Sequence, residues 1–446
     1  MPATPLLPPD HPDRAALAAE VHARPPEPLA APSRASYAAV RIEADARDAE
    51  MAHIGALCAH YGVAPPPSGG TQWAATLGRL RFKWERHGEF SSYTLFTAGL
   101  SPTPFAEPVA ALLPAGWLAG VPGQTVFAAH AKLVGAAALV GRDGGNPSAE
   151  QLAAHFGANV VVGAGIGDGA GLAFTDFVIH GDGFARFVLL DRSMTERQAG
   201  RMLQRLFEIE AYRMMAMLAL PVARGLWPRL LPIERTLAGL TERIAQDATR
   251  RAGADEALLH ELMALAAEIE SALAASQSRF GASRAYHALV STRIAELREQ
   301  RIQGLQTIDE FMTRRLNPAM ATCVTVSQRL HDLSERIAQA SSLLRTRVDI
   351  ARQQQNQALL AATARRAKLQ LRLQQTVEGL SVAAIVYYSA GLVGYVAKAA
   401  KAAGAPLSPD LVTGLAVPVL GLGAWWVLSR VHRRIAADDD HGGSDH

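Results

Sequence analysis

Cysteine is scarce in this chain, with only Cys58 and Cys323 among 446 residues. The two lie far apart and belong to no partner motif, which excludes a disulfide framework and favours a reducing compartment. A large excess of one sign of charge is also lacking, because 44 Lys and Arg nearly balance 41 Asp and Glu and leave a net charge of +3. Such a small excess gives no reason to predict a nucleic-acid partner.

Charged residues as a whole are few, at 19%, beside an apolar fraction of 49%. Length and composition together predict a soluble body with room for more than one domain, plus a short membrane part. The first residues, Met1–Pro12, lack a basic start followed by an apolar run. We therefore predict no cleaved export signal, and we expect the N-terminal body to lie in the cytosol.

Strand and helix patterns alternate in the N-terminal half. Prolines dominate residues 1–34 and predict extended or turn backbone. The clearest hairpin alternates apolar and polar residues from Leu80 to Leu95 around Arg86-His87-Gly88. A helix is predicted over Asp45–His60, and further strands over Ala35–Glu43, Thr125–Val134, Asn159–Gly165, Leu172–His180 and Phe184–Asp191. Residues 35–194 are thus predicted to form an α+β cytosolic domain with an antiparallel sheet.

Residues 195–376 carry an almost wholly helical pattern, typical of a helical or coiled-coil stalk. Thr195 is a predicted N-cap, with Gln198 three residues later. One long helix is predicted over Asp255–Leu316 and another over Ala319–Gln375, with Pro318 marking the turn between them. One stripe is predicted to be buried against another helix: Leu330, Leu333, Ile337, Ala340, Leu344 and Val348.

Two uncharged runs near the C-terminal end, 380–397 and 411–428, are predicted to be transmembrane helices. Each would span ~27 Å as a helix, close to the ~30 Å hydrocarbon thickness of a bilayer. Basic residues lie on the outer sides of the runs: Arg365, Arg366, Lys368 and Arg372 before the first, and Arg430, Arg433 and Arg434 after the second. This bias predicts a multi-pass membrane protein with both termini, including the tail 430–446, in the cytosol.

Small residues in both runs allow helices to approach closely in lipid: Ala390, Gly391, Gly394, Gly414 and Gly421. They indicate packing either within the hairpin or between copies of the chain. The predicted partners are therefore a lipid bilayer and a homo-oligomer formed through the stalk and the spans.

Catalytic, cofactor and metal patterns are lacking. The glycine run 163–171 satisfies G-x-G-x-x-A at Gly165, Gly167 and Ala170, but a strand pattern follows where a dinucleotide site needs a helix, so we interpret it as a turn. The histidines show no metal-ligand spacing. The acidic, histidine-containing tail is interpreted as a disordered, solubilising end, with weak attraction of divalent ions as the alternative. The polar cluster around Glu210 and Arg213 is explained by pairing on one helix. We predict no cofactor and no metal, and an enzymatic activity is left open without a candidate nucleophile or base.

Several stretches resemble a bacterial family known only as domain of unknown function 3422, described as membrane-anchored. The resemblance covers nearly the whole chain, in Val21-His22-Ala23-Arg24-Pro25, Lys83-Trp84-Glu85-Arg86-His87 with Glu89-Phe90, Thr175-Asp176-Phe177, Arg314-Arg315-Leu316 with Pro318-Ala319-Met320, Leu343–Val348 and Leu371–Ser381. The resemblance implies an anchor in the bacterial inner membrane but no activity. The chain's plan is also similar to that of CorA-type magnesium channels, although Gly394-Tyr395-Val396 stands where their Gly-Met-Asn motif is expected.

Two functions follow as expectations. The first is a cytosolic scaffold or sensor domain tethered by the hairpin, with its ligand unknown. The alternative is a homo-oligomeric CorA-like channel or transporter, against which the absence of charged residues within the spans counts.

Overall fold

The computed structural model describes residues 8, 10–21, 25–140, 145–246, 252–404, 406 and 408–439. His22, Ala23 and Arg24 of the first resembling stretch and the tail Asp440–His446 lie outside the described residues. The chain divides into two compact units. The first holds Met1–Ala248 with Ala257–Ser342, and the second holds Thr249–Glu256 with Leu343–His446.

Nine strands of the first unit form one mixed sheet in the order β2-β3-β4-β1-β5-β8-β7-β6-β9. The strands are β1 (Ser33–Arg41), β2 (Gln72–Leu77), β3 (Leu80–Arg86), β4 (Phe90–Ala98), β5 (Gln124–Gly135), β6 (Val162–Ile166), β7 (Gly171–Thr175), β8 (Ala185–Asp191) and β9 (Gln300–Arg301). The predicted hairpin is confirmed, since β3 and β4 pair antiparallel with Trp84 opposite Tyr93.

The prediction of an antiparallel sheet is wrong at one pair, because β5 and β8 run parallel from Ala129 opposite Ala185 to Gly135 opposite Asp191. The chain leaves β5 through α3 (Ala136–Val140) and α4 (Ala149–Phe156) and returns through the β6–β7–β8 meander. A crossover of this length lets a strand arrive in the same direction as its neighbour, which a short hairpin cannot do.

The glycine run 163–171 forms most of β6, the turn 167–170 and the first residue of β7, so the predicted turn is confirmed only for 167–170, and a strand rather than a helix follows it. Gly167 and Gly169 have positive φ values of 59° and 86°, which favour glycine. A Cβ on Gly163 would lie 2.4 Å from the Phe174 ring, so glycine is needed there for packing. Strand β7 is shorter than predicted and ends at Thr175, because the Asp176 carboxylate accepts the Val178 N–H (3.2 Å) and turns the chain.

Helices cover both faces of the sheet. One face carries two apolar clusters, one around Phe82, Trp84 and Tyr93 beneath α2 (Arg47–Tyr61), and one around Val188 and Phe174 beneath α4. The opposite face lies under α5 (Glu196–Met217), where the Phe207 ring stacks on Tyr37 with 4.7 Å between ring centres. The predicted cap of α5 is confirmed, because the Gln198 N–H donates to the Thr195 hydroxyl (3.2 Å).

A segment of the proline-rich region, residues 25–29, is docked against β3 and α5. The Leu29 N–H donates to the Glu196 carbonyl (2.9 Å), and the Lys83 ammonium donates to the Pro25 carbonyl (2.8 Å). Its carbonyl at Glu27 lies against Gly200 of α5. This docked segment is therefore part of the folded core, and Leu29 is only 2% exposed. The region also contains one short helix, α1 (Arg14–Val21).

The next helices after α5 are α6 (Ala219–Gln246), α7 (Ala252–Leu297) and α8 (Ile308–Ala402). The predicted helix over Asp255–Leu316 is wrong, because α7 ends at Leu297, where Arg298 and Gly304 adopt positive φ. A new helix starts beyond this turn, since Glu310 and Thr307 cap each other and the Glu299 carboxylate accepts the N–H groups of Ile308 and Asp309.

The predicted turn at Pro318 is wrong, because Pro318 lies inside α8. The reversal of the chain occurs earlier, so α7 and α8 pack antiparallel, with Ser334 bonded to Glu270 and His287 bonded to Asn317 (3.0 Å). The predicted buried stripe is confirmed, with Leu330, Leu333 and Leu344 at most 1% exposed. Helix α6 also has buried apolar residues, Ile233, Leu237 and Leu240, and the coiled coil stays a prediction.

The second unit contains the C-terminal part of α8 and α9 (Pro409–Asp439). A turn near Gly404, whose φ is 93°, separates the two helices. The described part of the chain contains two helical stretches that are long and apolar enough to cross a membrane, one within Ile308–Ala402 and one over Pro409–Val427. Little of the first stretch and none of the second is buried, unlike the core helix of a soluble protein.

Candidate functional site

Strand β3 presents the Lys-Trp-Glu-Arg-His stretch to both faces of the sheet, because alternate side chains point to opposite sides of a strand. Trp84 enters the apolar cluster beneath α2. Lys83, Glu85 and His87 line a small cavity beneath α5, beside Tyr37 and Ser92. One resembling motif therefore contributes to two separate polar arrangements.

On the α2 face, a fully buried carboxylate organises the strands. Glu50 of α2 accepts hydrogen bonds from Trp84 Nε1 (2.8 Å) and the Tyr93 hydroxyl (2.7 Å), and Arg47 contacts it at 3.3 Å. Burial and the adjacent Glu50 raise the pKa of Tyr93 well above its ordinary value of 10.0, so this phenol stays a donor. All these groups satisfy one another, which makes the network a structural support.

On the α5 face, the charges of the cavity are also matched. The Lys83 ammonium lies 2.9 Å from the Glu85 carboxylate and donates to the docked segment at Pro25. Both side chains are about 5% exposed. A buried pair of this kind orders the surrounding backbone, and its charges leave no excess of one sign for a ligand.

A third polar arrangement, which we call the central seam, lies between the two apolar clusters on the α2 and α4 face. It runs across β1, β5 and β8, since Arg34 is opposite Lys132, Ser36 is opposite His130, and His130 is opposite Arg186. Sequence reasoning missed this seam. A signal was available, because polar residues recur two apart in otherwise apolar strands, at Arg34 and Ser36 and at His130 and Lys132.

His130 is buried in the central seam at 2% exposure, beside Ser36 at 1%. The Ala110 N–H donates to the Ser36 hydroxyl (3.1 Å), which in turn can donate to His130 Nδ1 (2.9 Å). The imidazole stacks on Phe184 with 3.9 Å between ring centres. Burial, with a smaller contribution from Arg186 and against the attraction of Asp182, lowers the pKa of His130 to about 4. The ring is therefore neutral at pH 7.

Lys132 and His155 meet at the other end of the central seam, with Nζ and Nε2 2.8 Å apart. His155 Nδ1 donates to the Gln151 carbonyl of α4 (2.8 Å), which leaves Nε2 as the acceptor for the lysine. Burial lowers the pKa of both Lys132 and His155 from their ordinary values. Among the described residues, Lys132 has no carboxylate partner.

The low pKa of His130 predicts a pH-dependent stability. Its folded value of about 4 lies below the ordinary value of 6.5, so the unfolded chain takes up the proton first as the pH falls. Stability is therefore fully present above pH 6.5 and is lost by about 3 kcal/mol between pH 6.5 and 4, at ~1.4 kcal/mol per pKa unit. Denaturation of full-length protein in mild detergent at pH 7 and 4.5 measures the loss. His130→Gln should reduce the difference between the two pH values, whereas the exposed His260→Gln should leave it unchanged.

The candidate helix-packing residues of the second unit fall into two groups. Ala390 is 6% exposed, and a Cβ on Gly394 would lie 3.1 Å from the Thr413 hydroxyl, so this face of α8 packs on α9. A Cβ on Gly391, Gly414 or Gly421 would meet no described atom within 4 Å. The first group therefore lies inside the hairpin and the second does not.

Five of the seven candidate membrane-orienting cations lie on exposed helix surfaces. Arg365, Arg366, Lys368 and Arg372 are exposed on α8, before its apolar stretch. Arg430 of α9 lies over the Trp426 ring, 5.1 Å from its centre. The side chains of Arg433 and Arg434 lie outside what the structure describes. Within the described part of the chain, no three His, Cys, Asp or Glu side chains are grouped to hold a metal ion.

The protein thus combines a mixed nine-stranded sheet, a long helix and two apolar helices near its C-terminal end. The chain belongs to the family described as Protein of unknown function (DUF3422), which matches residues 9–435 and confirms the resemblance. No curated protein and no solved structure matches the chain. The similarity to CorA-type channels gains no support from these comparisons.

Proposed function

We propose that this protein is anchored in the bacterial inner membrane and acts as a sensor or scaffold through its cytosolic α+β domain. The observation that carries the proposal is the surface of the two C-terminal helices. Large apolar side chains cover both helices and are more than half exposed, among them Leu380, Tyr387, Leu392, Leu411, Leu422 and Trp425. An apolar surface of this extent is stable in lipid and costly in water.

The proposed organisation keeps the predicted division of the chain. Residues 1–34 form the proline-rich segment, of which 25–29 dock on the cytosolic domain 35–194. Residues 195–376 form the stalk, from which α5 and β9 join that domain's sheet and its cover. Residues 380–397 and 411–428 form the spans, followed by a cytosolic tail. The open glycines Gly391, Gly414 and Gly421 support a homo-oligomer, because small residues in a lipid-facing surface allow a second helix to approach closely.

Anchorage predicts that the full-length protein stays in the membrane pellet after an alkaline carbonate wash. Introducing a charge near the middle of each span, in Leu392→Lys with Val419→Lys, should move the protein out of the pellet, since a lysine at a span centre costs about 2.5–3.5 kcal/mol. Leu369→Lys makes the same change on an exposed part of α8 before the apolar stretch and should have no effect. Wild-type protein in the carbonate supernatant would contradict the proposal.

The proposed orientation is tested with a membrane-impermeant maleimide on spheroplasts. The natural thiols are a low background, since Cys58 and Cys323 are 1% and 4% exposed. A cysteine at exposed Ala403, in the turn between the spans, should react in intact spheroplasts, whereas one at exposed Ala361 should react only after lysis. The reverse pattern would place the termini outside the cytosol.

A further inference from the structure

The central seam carries more positive charge than its neighbours neutralise. Arg34, Lys132 and Arg186 are its three cations, and the carboxylates that approach them are Glu107 and Asp182. Glu107 is 66% exposed and lies 3.5 Å from Arg34, so this pair is weak. With His130 and His155 neutral, the seam has a net positive charge, whereas the cavity beneath α5 pairs its lysine with a glutamate.

Hydrogen-bond donors of the seam also lack acceptors. The Nε atoms of Arg34 and Arg186 are buried and have no hydrogen-bond partner among the described residues. His130 Nδ1 lies 2.9 Å from the Ser36 hydroxyl, and His130 Nε2 lies 3.9 Å from the Asp182 carboxylate. A buried donor without an acceptor destabilises the fold, so such donors point to a bound acceptor.

A cavity adjoins these groups. It is lined by Arg34, His130 and Lys132 on the sheet side and by Ser101, Pro104, Phe105 and the exposed Glu107 on the other. Its enclosed volume is ≈ 20 Å³, about enough for one water-sized group. The loop Ser101–Phe105, which we call the covering loop, closes the other side of the cavity. Phe105 in this loop has a φ of 63°, which is rare for a residue with a side chain. The Arg186 guanidinium lies over the Phe105 ring, 4.9 Å from its centre.

We propose that the central seam binds a small oxyanion, a phosphate or carboxylate group, through Arg34, Lys132 and His130. The guanidinium and ammonium donors match the acceptor oxygens of such a group, and its negative charge balances the excess of the seam. The small cavity has room for one oxygen atom of that group. The remainder of the ligand would lie against the covering loop of Ser101–Phe105.

The inference rests on the proposed function in one respect, since it names the ligand class of the sensor domain. Binding is measured in detergent, where membrane insertion plays no part. A protein that binds phosphate but fractionates as soluble would contradict only the anchorage, and a membrane protein that binds no oxyanion would contradict only the site.

The test is equilibrium dialysis of full-length protein in detergent with radiolabelled inorganic phosphate, with unlabelled acetate as a competitor. We expect saturable binding that weakens at least about tenfold in Arg34→Gln and in Lys132→Gln. Arg79→Gln removes an equal charge from an exposed turn of the same unit and should bind as wild type does. Displacement by acetate at a concentration similar to that of phosphate would identify the carboxylate as the preferred group.

Absence of saturable binding, or equal weakening in Arg79→Gln, would overturn the proposal. Two measurements guard against misfolded variants. Lys132→Arg keeps the positive charge and should retain binding. In the wild-type protein, an amine-reactive ester followed by mass spectrometry should label Lys132 more slowly when phosphate is present, whereas labelling of exposed Lys368 should be unchanged. Equal labelling of Lys132 with and without phosphate would also count against the site.

Discussion

Gly200→Ala is expected to destabilise the first unit by at least about 3 kcal/mol. A Cβ at this position of α5 would lie 1.7 Å from the Glu27 carbonyl oxygen and 2.9 Å from its carbon. The obstacle is backbone, so no side-chain rotation relieves the clash. The docked segment would have to leave α5, and the hydrogen bonds that Leu29 and Lys83 make through it would be lost. Thermal unfolding of full-length protein in detergent measures the effect.

Gly225→Ala is the matched control for this prediction. Gly225 also lies within a helix, α6, but a Cβ there would meet nothing within 4 Å. Alanine is the better helix former, so this change should stabilise the protein by up to about 1 kcal/mol. Equal melting temperatures for the two variants would show that the docked segment does not constrain α5.

Glu50→Ala is expected to cost about 3–5 kcal/mol, because it removes the acceptor from a buried network and leaves charged and polar donors unpaired. Trp84 Nε1, the Tyr93 hydroxyl and Arg47 would all lose their common partner. Glu50→Gln should cost less, since its amide oxygen still accepts a hydrogen bond. Chemical denaturation followed by tryptophan fluorescence reports this loss close to Trp84.

Glu43→Ala provides the comparison at the surface. Its carboxylate pairs with Arg41 at 2.8 Å, but its side chain is 67% exposed. Exposed pairs contribute at most about 1 kcal/mol, so this variant should remain close to wild type in stability. A Glu50→Ala protein as stable as Glu43→Ala would contradict the structural role of the buried network.

Local patterns predicted those elements whose cause lies within a few residues. The β3–β4 hairpin follows from alternating side chains, and the start of α5 follows from the Thr195 side chain that caps it. The predicted helix break at Pro318 was wrong, because proline often ends a helix but here lies inside α8. The capping pair Thr307 and Glu310 was also present in the sequence and locates the true start of α8.

The central seam depends on pairings that no local pattern contains. Arg34 and Lys132 are 98 positions apart in number, and their side chains share a face only because β1 and β5 pair in one register. A shift of one residue would send one of them to the opposite face of the sheet. The parallel neighbour β8 then adds Arg186 beside His130.

Composition, hydropathy and capping alone determined that this chain has a mixed N-terminal half, a helical second half and two apolar helices near its C-terminal end, since each of these is a property of contiguous residues. The tertiary structure decided the parallel β5–β8 pair, the close approach of Glu27 to Gly200 and the gathering of cations in the central seam. These features join residues that are distant in sequence, and their geometry is set by strand register and packing, which neighbouring residues do not encode.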